Sequence, residues 1–187
     1  IRPSAPVHPV PIIGAATLTN GADMHRTLAL AGLTLALTTL PAAAQMATIS
    51  PTQIGWIFCI ARLGNDMAPV QGLLTPALGQ AIADAEKRDG DWAAKNPGEK
   101  PPLGDGIPWQ AFPDYAPHCA VGIAETLKAE AWVDLNYGFP DAPDADFTDR
   151  LHLLQVEGEF GATHWRIDNI EYASDGGDLR STLVSAF

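Results

Sequence analysis

The stretch that most constrains this chain is Arg150 to Tyr172, RLHLLQVEGEFGATHWRIDNIEY. Two runs of alternating apolar and polar residues flank Gly158-Glu159-Phe160-Gly161, the pattern of an antiparallel β-hairpin with a four-residue loop. In the second run Trp165 and Ile167 fall on one face, and His164, Arg166 and Asp168 on the other. The phase then flips, because Ile170 and Tyr172 occupy the polar side. A slip in a two-residue period signals an inserted residue, so the spacing predicts a β-bulge near Asp168-Asn169 and a bent strand. The expectation is a curved sheet covered on one side.

The cover is expected from two helices upstream. Ser50 suits an N-cap, Pro51 the first helical position, and Gln53 can close a capping box. Ile54, Ile57, Phe58, Ala61 and Arg62 then follow helical spacing up to Gly64. Thr75-Pro76 repeats the cap-then-proline logic, with Leu78, Ile82 and Ala85 on one face. Gly90 is expected to end or interrupt that helix, with residues 91–94 as an extra turn. Residues 96–117 hold six prolines, a density that excludes a helix or a central strand. Residues 120–126 read as a short strand. Residues 128–137 read as the cleanest one, with Ala129, Ala131, Val133, Leu135 and Tyr137 on one face. The acidic loop DAPDADFTD does not match the spacing of a calcium loop and is read as solvated. Ser174 to Gly177 is read as a turn, and residues 178–183 as a short helical or extended tail. Helices first and antiparallel strands afterwards make an α+β domain, with two N-terminal helices packed on a curved antiparallel sheet of three to four strands.

The first methionine is Met24. Met24-His25-Arg26, an apolar run Thr27 to Leu40 and the small residues Pro41 to Ala44 read as a secretory signal covering 24–44. Its apolar run is shorter than the about 20 residues a bilayer span needs. Residues 1–23 are read as a non-native or disordered leader, and 45–187 as a single domain. Without Arg2, Arg26 and Asp23 that domain has 9 basic and 21 acidic side chains, a net charge of −12. Such a balance argues against nucleic acid, whose binders carry a basic footprint. The expected location is periplasmic or secreted from a bacterium, with no membrane span once the signal is removed. In an oxidising compartment the two cysteines, Cys59 and Cys119, form either a disulfide or two buried thiols.

One further feature is a likeness. The N-terminal helix, the run LLTPALGQAI, and Trp165-Arg166-Ile167-Asp168-Asn169-Ile170 followed by Gly-Gly-Asp-Leu-Arg resemble a family of small exported bacterial proteins catalogued as a domain of unknown function (number 3828). The likeness covers roughly residues 50–180. It implies a cystatin-like, nuclear transport factor 2-like cone of sheet and helices, often with a pocket, and it implies no activity.

Three functions are therefore open. The first is a non-enzymatic module that binds a small ligand or a protein partner. Its pocket would be lined by Val133, Leu135, Tyr137 and Trp165, with Trp109, Phe112 and Tyr115 at the rim, since a loop so rich in rings needs cover. The same loop could instead be pinned to the body by those rings. The second is a small isomerase, dehydratase or hydrolase using His164 and Asp168, with His152 across from them on the partner strand. Against it, that face is opposite Trp165 and Ile167, and Arg166 could pair with Asp168 or Glu171. The third is an inhibitor or immunity-type protein with an acidic surface. No cofactor and no metal site is expected, since no tight His-x-His or Cys-x-x-Cys spacing occurs.

Overall fold

Ser50 caps the first helix as its sequence predicts. Its hydroxyl accepts from the Gln53 N–H, and the Gln53 side chain accepts from the Ser50 N–H at 2.8 Å. The computed structural model describes residues 48–104, 106–112, 114–158, 161–173 and 176–187. The expected leader (1–23) and the expected secretory signal (24–44) therefore lie outside the described residues, as do Glu159-Phe160 of the expected hairpin loop and Ser174-Asp175 of the expected last turn. Residues 48–187 belong to one compact unit. Helix α1 spans Pro51–Leu63 and stops at Gly64. A short α2, Ala68–Gln71, follows. It was not expected, because four residues carry no period to read. Pro69 stands in its first turn, and the Asp66 carboxylate before it accepts from the Ala68 N–H at 3.0 Å.

Helix α3 spans Pro76–Lys95, with the Thr75 hydroxyl accepting from the Leu78 N–H. It runs straight through Gly90, which corrects the expected break. A mid-helix glycine costs only about 1 kcal/mol relative to alanine. Here Lys87 reaches across that turn to Asp91 (2.6 Å), and Asp89 accepts from the Leu103 N–H (2.9 Å), tying the turn to the following loop.

Four strands follow: β1 (His118–Leu127), β2 (Glu130–Gly138), β3 (Phe147–Glu157) and β4 (Thr163–Glu171). They form one antiparallel sheet in the order β1-β2-β3-β4. The first strand is longer than its apolar signal suggested. The second starts later than predicted, because Lys128 and Ala129 form a two-residue hairpin loop between Leu127 and Glu130. Lys128 takes the left-handed φ of 57° that such loops require at one position. Ala131, Val133, Leu135, Leu151, Leu153, Ile167 and Ile170 are all buried and share the face that the helices cover.

The sheet carries two bulges. In β4, Leu153 faces Ile167 while His152 faces Asn169, so Asp168 is the extra residue at the predicted place. That insertion moves Ile170 back onto the buried face. In β1, Val121 faces Leu135 and Ala124 faces Val133, so Gly122 and Ile123 together oppose Asp134. A Cβ at Gly122 would start 2.7 Å from the Asn136 amide nitrogen and 3.1 Å from Asp134 Cβ, so a larger residue there would have to displace the Asn136 side chain.

The free border of β4 is covered by the chain itself. Thr75 N–H donates to the Ile167 carbonyl (2.8 Å) and Ile167 N–H to the Leu73 carbonyl (2.7 Å). Tyr172 N–H donates to the Gly177 carbonyl (2.9 Å). The tail then forms helix α4, Leu179–Ser185, which buries Leu179 and Leu183. Asp178 caps it, accepting from the Ser181 N–H (2.9 Å) and from the Asn169 amide (3.0 Å). Partial burial pushes its carboxyl up, but the bonds from Ser181 and Asn169 outweigh that and hold it below the ordinary carboxylate value. A depressed folded-state value stabilises the fold above the ordinary carboxylate range, and the benefit is lost as pH falls through it. Asp178→Ala should therefore cost about 1 kcal/mol at pH 7 in urea unfolding. The cost should shrink towards zero in acid. Identical urea midpoints at pH 7 would refute the cap.

Candidate functional site

The proline-rich loop after α3 is packed against the body at several points. Tyr172 donates its hydroxyl hydrogen to the Pro108 carbonyl, and Tyr115 donates its own to the Arg62 carbonyl. The Arg62 guanidinium lies over the Tyr115 ring, 4.0 Å from its centre. Trp109 meets Phe58 edge-on at 6.2 Å, and Phe112 packs against Phe139 (5.6 Å) and Phe147 (6.1 Å). Asp149, on β3, is fully buried and accepts from the Ala111 N–H (2.8 Å) and the Ala173 N–H (3.2 Å). A buried carboxylate requires such donors, so Asp149 ties the loop and the segment after β4 to one point on the sheet. The loop is thus pinned by its rings, as one of the two sequence readings held.

Pinned this way, the loop roofs a cavity of about 340 Å³ against the end of α1, lined by Arg62, Lys100, Leu103, Gln110 and Phe112. Among the described residues, three buried side-chain polar atoms have no hydrogen-bond partner, and two of them belong to residues of this lining: Arg62 Nε, Gln110 Oε1 and, elsewhere, the Tyr137 hydroxyl. The Gln110 amide nitrogen donates to the Phe112 carbonyl (2.8 Å) and the Asp114 carbonyl (2.6 Å). Two carbonyls facing one end of the amide fix which atom is nitrogen, so the atom left over is the acceptor. Burial, and secondarily the charge of Asp149, push the Tyr137 phenol far above its ordinary value, so it stays protonated.

The expected pocket lining is placed differently. Val133 and Leu135 are fully buried and Tyr137 nearly so, beneath α1. Gly55 lets the helix come this close: a Cβ there would lie 2.9 Å from Val133 Cγ1 and 3.1 Å from a Val121 methyl. The hollow that the sequence reading assigned to a ligand is filled by a helix. Trp165 lines a separate recess of about 280 Å³ with His164, Arg166 and Leu73. Of the rim residues, Phe112 lines the loop cavity, while Trp109 and Tyr115 prop the loop.

The proposed acid–base residues are not brought together. His164 and Asp168 are four positions apart along β4, about 13 Å at 3.3 Å per residue. Asp168 pairs with Arg180 (2.7 Å) and accepts from the Thr75 hydroxyl (2.8 Å). Arg180 thus stands where Arg166 was the expected partner of Asp168, because the bulge turns Asp168 towards the start of α3 and α4. His152 pairs with Glu130 at 2.9 Å and stacks on Trp132. In the acidic loop, Asp146 accepts from the Phe139 N–H (2.7 Å). Among the described residues no three His, Cys, Asp or Glu side chains converge as metal ligands.

Sequence reasoning missed Arg62, Lys100 and Gln110. Arg62 did leave a signal, since a cation fell on the apolar spacing of α1. Gln110 left none in a loop without period. Beside the loop site, Cys59 and Cys119 are joined as a disulfide. Above it an apolar recess of about 370 Å³ is lined by Trp56, Ile60, Leu63 and Val121. Among the described residues no helix is long and apolar enough to cross a membrane. Compared with protein-family models, curated proteins and solved structures, the chain finds no match in any of the three.

Proposed function

We propose that this chain is an exported, non-enzymatic binding module that holds a small ligand under the loop from Lys100 to Phe112. The observation that carries this reading is the cavity at the end of α1, lined by a half-buried arginine and a buried glutamine of which one atom each, Arg62 Nε and Gln110 Oε1, has no hydrogen-bond partner. Unmade buried hydrogen bonds cost about 1–3 kcal/mol each, and a ligand that makes them recovers that cost. Export is supported by the Cys59–Cys119 bridge, a bond that persists mainly in oxidising compartments, and by the signal-like run from Met24 to Ala44.

Thermal shift of the full chain against a library of small metabolites tests it. At least one compound should raise the melting temperature. Ala111→Trp, which fills the cavity while keeping the backbone bond to Asp149, should abolish that rise. A library without a hit, or hits indifferent to Ala111→Trp, would sink the reading. A protein partner is the second reading, favoured by Trp56 (56 % exposed), Ile60 (71 %) and Leu63 (39 %) lying four and three residues apart along α1. Under it, Trp56→Ser would weaken capture of the partner and leave small-molecule shifts unchanged.

A further inference from the structure

The polar groups of the loop cavity select among ligands. We propose that it takes a small organic acid that also carries a hydroxyl or amino group. The carboxylate meets Arg62, and the hydroxyl or amino hydrogen meets Gln110 Oε1. This rests on the reading that the cavity is a ligand site, and narrows it to a chemical class.

Arg62 argues for the carboxylate. The chain has 22 acidic side chains to 11 basic ones, yet among the described residues no carboxylate pairs with this arginine. It is held instead against the Tyr115 ring, with Nε buried and unpartnered. A guanidinium edge offers two parallel N–H donors, the geometry a carboxylate accepts. Lys100 adds a second cation at the exposed rim.

Gln110 argues for the second group. It is 6 % exposed, and its two amide hydrogens are spent on loop carbonyls. What remains is an acceptor, which a carboxylate or sulfate oxygen cannot satisfy and a hydroxyl or amine can. Size argues against anything large. About 340 Å³ lies at the lower end of the roughly 300–1,000 Å³ typical of small-molecule sites.

Matched pairs test the class by calorimetry on the full, disulfide-bonded chain: L-lactate with propionate, L-malate with succinate, and glycine with acetate. Sulfate and propane-1,2-diol serve as an anion without a donor and a donor without a charge. At least one hydroxy or amino acid should bind about tenfold or more tightly than its matched partner, and neither control should bind. Arg62→Lys, which keeps the charge but loses the fork, should weaken that acid about tenfold or more. Lys100→Gln, at an exposed position, should weaken it two- to fivefold even if the Arg62 variant folds poorly. Equal binding within every pair, binding of sulfate or the diol at comparable strength, or affinities indifferent to both variants would overturn the proposal. If none of the acids binds but a library compound does so in a manner that Ala111→Trp abolishes, the class falls and the cavity reading stands. If no library compound binds, both fall.

Discussion

Replacing Cys59 and Cys119 together by alanine should remove about 4 kcal/mol of stability and lower the melting temperature by about 10–15 °C. The bridge spans 60 residues and joins the middle of α1 to the start of β1. Closing a loop of that length restricts the unfolded chain by about 4 kcal/mol at 25 °C in the chain-entropy account. For a domain of this size each kcal/mol moves the melting point by about 2–4 °C. The folded state should survive at room temperature, because α1 also buries Ile54 and Phe58 fully, and the substitution leaves those side chains in place. Urea unfolding of the oxidised chain and the double variant, read by circular dichroism, checks the difference. A loss below about 1 kcal/mol would mean that the bridge restrains little, and two alkylatable thiols in the unreduced protein would mean that it does not form.

The second large effect contrasts glycines in two helices. Gly55→Val should destabilise the protein by about 3 kcal/mol or more, while Gly90→Ala should stabilise it by about 0.5–1 kcal/mol. At Gly90 a Cβ meets nothing within 4 Å, so only helix propensity changes, and alanine is the better helix former. At Gly55 the same propensity gain is outweighed by contact, because the first added carbon lies 2.9 Å from Val133 Cγ1 and branching drives further methyls into Val121 and Val133. Overpacking of this kind typically costs about 1–3 kcal/mol, and more where the backbone must move. Gly55→Ala should fall between, on the destabilising side. Urea midpoints of the three variants decide it. If Gly55→Val matched wild type, α1 would not be in close contact with the sheet, and the filled hollow would reopen as a ligand cleft.

Much of the fold was legible because its causes are local. Ser50-Pro51 and Thr75-Pro76 announce helix starts by capping chemistry that needs no tertiary context. The bulge at Asp168 was legible because an inserted residue must shift every later side chain to the other face, and Ile170 recorded that shift. The site was less legible. Whether the concave face holds a ligand or a helix depends on how near α1 can lie, and the sequence states this only as a glycine at position 55. The cavity that does exist sits between a helix end and an aperiodic loop, where neither period nor motif marks a lining residue. His164 and Asp168 looked like partners because alternation puts them on one face, but their spacing along the strand and the demand of Arg180 for a carboxylate separate them.

The two margins of the sheet are guarded by different means. Along β4 the protein's own residues, Leu73 to Thr75, occupy the main-chain groups. Along β1 no described residue does so, but the extra residue at Gly122-Ile123 puts the amides on either side of it out of step. A strand from a neighbouring molecule could match one half of that margin and would then lose register with the other. Growth by addition of strands is thereby halted at four, which keeps neighbouring copies of the chain from extending one another's sheets.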